Sequence, residues 1–292
     1  MHSGIKASVI IVTFDRLNIL LDLLNDFKNQ TYSYFEVILI SDGCCSAFHH
    51  KVLNFRNFFK LVSKDTGLKN SYGLAYARNM GIRESDGDYC ILIDDDCKVS
   101  NDFIESHIKH AERKTIIGGK RFSEGEGSHI LVNKMNELLN LPNKSLPISR
   151  IKKNYKKVSL IENNISFYKK DIEHLGCFFD LINSYGLIGQ EFFYRASFFN
   201  FKYKFVEHAA IQHLTNAKEV KTNPRRKKIP IAVMNNIFIL PLLRNRFYCL
   251  FQKNIVPKLN YKLRNIMGIL IYLNAILVAP IFLIKRILKK FI

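Results

Sequence analysis

The chain has 292 residues, 48% of them hydrophobic and 12% aromatic, with a formal charge of +19 from 44 basic and 25 acidic side chains. That composition suffices for one large α/β domain plus an appendage, or two small domains, and it excludes wholesale disorder. The six cysteines (Cys44, Cys45, Cys90, Cys97, Cys177, Cys249) form no C-x-x-C pair and no metal-like spacing, which excludes a zinc module and fits a reduced, cytosolic setting.

In chain order, the first apolar run, residues 7–12, is too short for a signal h-region; no secretory leader is expected, and residues 8–13 read as a buried strand. Residues 18–27 carry Ile19, Leu20, Leu23, Leu24 and Phe27 at helical spacing. A second strand over 35–40 ends in Ser41-Asp42-Gly43, a third covers 58–63, and a helix covers 73–83. A fourth strand, 89–93, runs into Asp94-Asp95-Asp96, and a helix near 101–113 follows with Ser100 as its cap. Strands alternating with helices of this length predict an α/β domain with a doubly wound, mostly parallel sheet. Ligands of such sheets bind beyond the carboxyl ends of the strands, where Thr13, Asp15, Asp42 and the acidic run lie.

The second half is less regular. Residues 143–157 read as a basic linker, 164–168 as a strand, 189–198 as a helix, 204–211 as a strand and 222–228 as a solvated break. From residue 220 onward there are 15 Lys and Arg and no Asp or Glu. Such a field attracts polyanions, either nucleic acid or an anionic membrane. No nucleic-acid module is visible, so no nucleic-acid partner is expected. Residues 266–284 form 19 uncharged positions bracketed by Lys262 and Arg264 before and Lys285 and Arg286 after. As a helix this stretch would span roughly 28 Å, close to a hydrocarbon core. A spanning or re-entrant segment, a helix lying in the interface, and a soluble core or dimer helix all remain open, the last leaving room for a homo-oligomer. The expected division is an α/β domain over 1–220 and a basic, helical, membrane-associating region over 221–292.

Three adjacent carboxylates repel one another and need a counter-charge. Mg²⁺ or Mn²⁺ with phosphate supplies one, since such ions are held by one or two carboxylates plus substrate phosphates. A strand's period of two points Asp94 and Asp96 the same way and turns Asp95 aside. An acidic loop capping the next helix would explain the run equally well on its own. The wider sequence adds more. GLAYARNMGIRESDGDYCILIDDD (residues 73–96) resembles the central signature of family 2 glycosyltransferases of the GT-A fold. SVIIVTFDR (residues 8–16) and QTYSYFEVILISDG (residues 30–43) are similar to that family's first strand and its second strand with acidic turn.

The resemblance implies roles for residues at matching positions. Thr13 and Asp15 end the first strand where the nucleotide is contacted, and Asp42 matches the acid that reads the base edge, typically of uracil, with Ser41 replacing a usual second acid. Arg78 matches a basic residue near the pyrophosphate, Asp94 and Asp95 would face the donor, and Asp96 would be the principal metal ligand. NNISFYKKDIEHLGCFFD (residues 163–180) resembles the acceptor segment. Gly189-Gln190-Glu191 falls where members carry their general base, which assigns that role to Glu191, with Asp180 a weaker candidate. His213, rather than His208, falls where several members supply a further metal ligand. His49-His50 reads as a solvated loop pair.

The resemblance thus implies a metal-dependent, inverting transferase. It would use Mn²⁺ or Mg²⁺ and a nucleoside-diphosphate sugar, with UDP favoured, to glycosylate a lipid-linked or cell-surface glycan at the cytoplasmic face of the membrane. The second reading transfers sugar onto a polyprenyl phosphate carrier. A nucleotidyltransferase and a non-catalytic nucleic-acid binder are readings from other classes.

Overall fold

The computed structural model describes residues 4–43, 46–68, 72–123, 145–154, 160–182, 186–214 and 234–291. Strand β1 (Ala7–Thr13) leads into α1 (Leu17–Phe27), which buries Ile19, Leu20, Leu23, Leu24 and Phe27 as their spacing requires. The alternation continues through β2 (Phe35–Ser41), α2 (Ser46–Val52), β3 (Lys60–Asp65) and α3 (Leu74–Glu84) to β4 (Tyr89–Asp94), which ends at the acidic run. Then come β5 (Cys97–Val99), α4 (Phe103–Ile108), β6 (Thr115–Ser123), β7 (Ser145–Pro147), α5 (Ile148–Asn154), β8 (Asn164–Tyr168), α6 (Lys169–Leu175), α7 (Ile188–Phe198) and β9 (Lys202–His213). Ser100 does not cap α4: Asp102 stands at that position and makes no side-chain hydrogen bond to the helix's first amides.

These strands form one sheet in the order β3-β2-β1-β4-β8-β6-β9-β5, with β7 also pairing β9. The sheet is mixed, which corrects the expectation of a mostly parallel one. Strands β1 to β4 are parallel, as are β6 and β9, but β8 runs antiparallel to both β4 and β6. Strand β8 therefore starts at the same edge where β4 ends, so the residues entering β8 lie at the ligand edge too. Helices cover both faces. On one, α1 and α4 pack with Phe55 against Val9, Ile11, Val37 and Ile91. On the other, α3, α5, α6 and α7 bury Ala77, Ile148, Ile172 and Phe192 against Ile10, Ile38 and Phe167. His107 of α4 bridges Ser166 and Asn164 of β8 at 2.8 and 3.1 Å, and burial holds its pKa down to about 3, so the imidazole is neutral.

Part of the expected basic linker is ordered structure. β7 pairs with β9, and Ile148 and Ile151 of α5 are buried in the core. The expected break over 222–228 and the expected boundary at residue 220 lie outside the described residues. Beyond them, α8 (Leu240–Leu243), α9 (Arg246–Asn254) and α10 (Tyr261–Phe291) follow. Leu242 and Leu243 of α8, Ile271 and Ala275 of α10, and Val256 between α9 and α10 share a third apolar cluster with Phe179, Leu181, Ile182 and Leu187, while Arg264 of α10 donates to the buried carboxylate of Asp180 at 2.5 Å. The opposite side of α10 leaves Ile269, Leu273, Ile276 and Leu277 exposed, Leu277 by 76%. That split explains why apolar residues occur all around this helix: one flank meets the body and the other faces outward. Among the described residues, no helix is long and apolar enough to cross a membrane.

Candidate active site

The acidic run sits where β4 ends, and the three carboxylates have separate surroundings. Asp95 is buried and accepts from the Thr13 hydroxyl at 2.6 Å and from Arg16 Nη1 at 2.9 Å. Burial pushes its carboxyl up to about 7, against the opposing pull of Arg16. Asp96 accepts from the same Arg16 nitrogen at 2.5 Å. Burial acts to raise its carboxyl too, but the nearby His213 and Arg16 outweigh that and hold it below the ordinary range. Asp94 is the most open of the three and accepts from Arg78 Nη2 at 3.3 Å.

His213 reaches this site through strand pairing. Cys97 of β5 lies opposite His213 of β9, and the Leu214 amide donates to the Asp96 carbonyl at 2.9 Å. Asp94, Asp96 and His213 thereby bring one ligand atom each to within 4.8 Å of one another. Nε2 of His213 is 3.2 Å from Oδ1 of Asp96, yet that oxygen is buried with no hydrogen-bond partner among the described residues. A buried carboxylate oxygen without a donor is costly unless a cation faces it. Two carboxylates and an imidazole suit Mn²⁺, and tolerate Mg²⁺ less well because of the nitrogen ligand. These residues fit the metal. His208 is exposed on β9.

The nucleotide-side residues cluster at the ends of β1 and β2. The Asp42 amide donates to the Thr13 carbonyl at 2.9 Å. The Asp42 carboxylate is buried and accepts from the Gly73 amide at 3.0 Å and the Thr66 hydroxyl at 3.2 Å, which fixes it against the start of α3. Asp15 is exposed, with a backbone φ of 50°, left-handed geometry that Asp tolerates better than most side chains. Ser41 stands in place of a second acid on β2, but Asp65 at the end of β3 places its carboxylate on the Ser41 hydroxyl and on the Gly43 amide. Nor is His49 a loop residue: it lies on α2, with ring nitrogens 2.7 Å from Ser63 Oγ and 3.2 Å from Ser41 Oγ. Arg16 and Asp65 carry no expectation from sequence, although Asp65 ends β3 and Arg16 lies three residues beyond the end of β1.

A family model described as Glycosyl transferase family 2 matches residues 8–176, more than half of the chain and all of the elements just described up to α6. The chain belongs to glycosyl transferase family 2. Similar relatives include the uncharacterized glycosyltransferase YwdF of Bacillus subtilis, 33% identical over 107 residues, covering 37% of this chain and 38% of YwdF. An uncharacterized glycosyltransferase of Rickettsia bellii is 32% identical over 116 residues, 38% of this chain and 16% of its own. A cholesterol galactosyltransferase of Borreliella burgdorferi is 33% identical over 103 residues, 34% and 27% of the two chains. The matches thus span less than half the length of these relatives. Among solved structures, S. aureus TarS superposes with a TM-score of 0.59 at 15% identity, covering 82% of this chain and 39% of TarS. GalNAc-T7 with UDP, GalNAc and Mn²⁺ gives 0.57 at 14%, covering 80% and 48%. These likenesses establish the GT-A fold for this family 2 glycosyltransferase.

The residues expected to serve an acceptor are placed differently from expectation. Glu191 is not open to a substrate: it is buried, and both its oxygens accept from Arg195, at 2.7 and 2.8 Å. Arg195 is itself fully buried and also donates to the carbonyls of Leu175 and Cys177. The pair staples α7 to the end of α6. Asp180 is likewise buried, between Arg264 and Asn79.

Proposed function

We propose that this glycosyltransferase is metal-dependent and inverting, moving a sugar from a UDP-sugar to a hydroxyl of a lipid-linked or cell-surface glycan. The single observation that carries this is the Asp94, Asp96 and His213 cluster at the ligand edge of the sheet, two carboxylates and an imidazole that bring one ligand atom each to within 4.8 Å of one another. Asp94, Asp96 and His213 would hold a divalent cation, which when bound would supply positive charge for the departing diphosphate. Arg78 stands beside Asp94 to hold phosphate oxygens, a task that suits a guanidinium. Asp42, at the end of β2, is positioned to orient the base. TarS solved with UDP-GlcNAc and GalNAc-T7 solved with UDP and Mn²⁺ support the choice of donor and metal.

A panel of nucleotide sugars with Mn²⁺ or Mg²⁺ tests this reading by following nucleoside diphosphate release. UDP release from at least one UDP-sugar, abolished by EDTA and restored by Mn²⁺, is the expected outcome. No turnover of any donor contradicts it.

The acceptor proposal rests on α9 and α10. Their exposed Phe247, Ile269, Leu273 and Leu277 lie on a stretch that carries Arg246, Lys253, Lys258 and Lys262 and no acidic residue. Apolar side chains flanked by basic ones suit an anionic lipid surface, at the cytoplasmic face in this reading, that holds the enzyme beside an embedded acceptor. The chain should sediment with vesicles containing anionic lipid and release at high salt. Equal sedimentation with neutral vesicles, or none with either, contradicts the proposal.

A further inference from the structure

Transfer to a hydroxyl needs a carboxylate near the sugar to take the proton, and the acid expected for this, Glu191, is locked in an ion pair. We infer that Glu162 is the general base, an assignment that rests on the transfer reaction proposed above. Its position follows from register. Ile93 of β4 pairs with Asn164 of antiparallel β8, so the chain entering β8 at Glu162 and Asn163 runs beside the acidic run. Space is made for it on α7. A Cβ at Gly189, in the first turn of that helix, would lie 2.1 Å from Oε2 and 2.6 Å from Cδ of Glu162, so any side chain there would displace the carboxylate.

Access separates the three acids. The side chain of Glu162 is 22% exposed, against 4% for Glu191 and 0% for Asp180. Grip separates them as well. Glu162 has one contact with Arg78, Nη1 to Oε1 at 3.2 Å, and Arg78 uses its other nitrogen on Asp94 at 3.3 Å. Glu191 by contrast is held through both oxygens at 2.7 and 2.8 Å. Donor phosphate engaging Arg78 loosens the guanidinium from Glu162 and leaves the carboxylate to the acceptor. In the step itself the acceptor oxygen attacks the anomeric carbon and its proton passes to Glu162. The bond from that carbon to the diphosphate oxygen breaks, and the nucleoside diphosphate leaves with the electron pair. Glu162 then returns the proton to water.

The test uses the full chain, the donor that turns over in the panel, and UDP as the binding probe. Glu162→Gln should lower kcat by about 10²-fold or more, the usual worth of a positioned base, while UDP affinity stays within about threefold. Gly189→Ala should lower kcat in the wild-type background yet add little to Glu162→Gln, because both remove the same carboxylate from the same place. A kcat for Glu162→Gln within about threefold of wild type overturns the assignment. So does full additivity of the two changes, or a loss confined to UDP affinity, which would make Glu162 only a partner for Arg78. Should Glu162→Gln fold poorly, Gly189→Ala read against Glu162→Asp carries the same decision: the pair must be non-additive. Turnover kept by Glu162→Gln contradicts the base alone, whereas no turnover by the wild type contradicts the transfer reaction as well.

Discussion

Asp96→Ala is expected to lower turnover by about 10³-fold, equivalent to about 4 kcal/mol of transition-state stabilisation. Asp96 is the only carboxylate of the run that both faces His213 and keeps a buried oxygen without a hydrogen-bond donor among the described residues. Removing it takes a ligand from the proposed cation and leaves Asp94 and His213, too few to neutralise a departing diphosphate. The fold should survive, because Arg16 keeps Asp95 as a partner at 2.9 Å. The check is steady-state kinetics beside a thermal melt. A loss of kcat/KM with the melting temperature nearly unchanged is the expected combination. Asp95→Asn should behave differently. Asp95 is held by Thr13 and Arg16 rather than turned to the cation cluster, so its loss should disturb the loop after β1 before it disturbs metal binding.

Glu191→Gln is expected to act on stability instead of chemistry. The change leaves the fully buried Arg195 guanidinium without a carboxylate, and breaking one partner of a buried pair costs about 3–5 kcal/mol. For a chain of this size that lowers the melting temperature on the order of 10 °C. The protein that remains folded should turn over donor at a rate close to wild type. A large fall in kcat with an unchanged melting temperature would restore Glu191 to the acceptor site and argue against Glu162.

The legibility of this fold in its sequence followed the length of each apolar run. Strands β1, β2, β4 and β8 and helices α1, α3 and α7 are continuous or periodic enough to read directly. Strand β6 is not, because Gly118 and Gly119 interrupt it. Their missing side chains make room for the Tyr203 hydroxyl and the Ala209 carbonyl, either of which would lie 1.7 Å from an added Cβ. Glycine weakens the strand signal where close packing requires it. Strands β5 and β7 have three residues each, too few for any period to show. Strand β8 is legible as a strand but its direction is not, because its antiparallel pairing with β4 and β6 joins segments distant in sequence, so the mixed character of the sheet came only from the structure.

The site divides along the same line. Thr13, Asp42 and the acidic run sit at the ends of legible strands, so their common edge follows from topology alone. Arg16 and Asp65 obey the same rule and were within its reach. The approach of His213 to Asp96 depends on β5 pairing with β9, and that of Glu162 to Asp94 on the register of β8 against β4. Both are pairings between segments far apart in sequence, which local patterns do not encode. Glu191 illustrates the converse. Its spacing from Arg195 is that of neighbours on one helix face, and here that local pairing decides the role of the acid.

The central claim is a metal and nucleotide site built on Asp94, Asp96 and His213, and Mn²⁺ binding followed by electron paramagnetic resonance tests it most directly. Titrating the chain with Mn²⁺ in the presence and absence of UDP should show one saturable site whose affinity rises when UDP is present, and Asp96→Ala should lose it. Mn²⁺ binding that ignores UDP, or that persists unchanged in Asp96→Ala, would contradict the account.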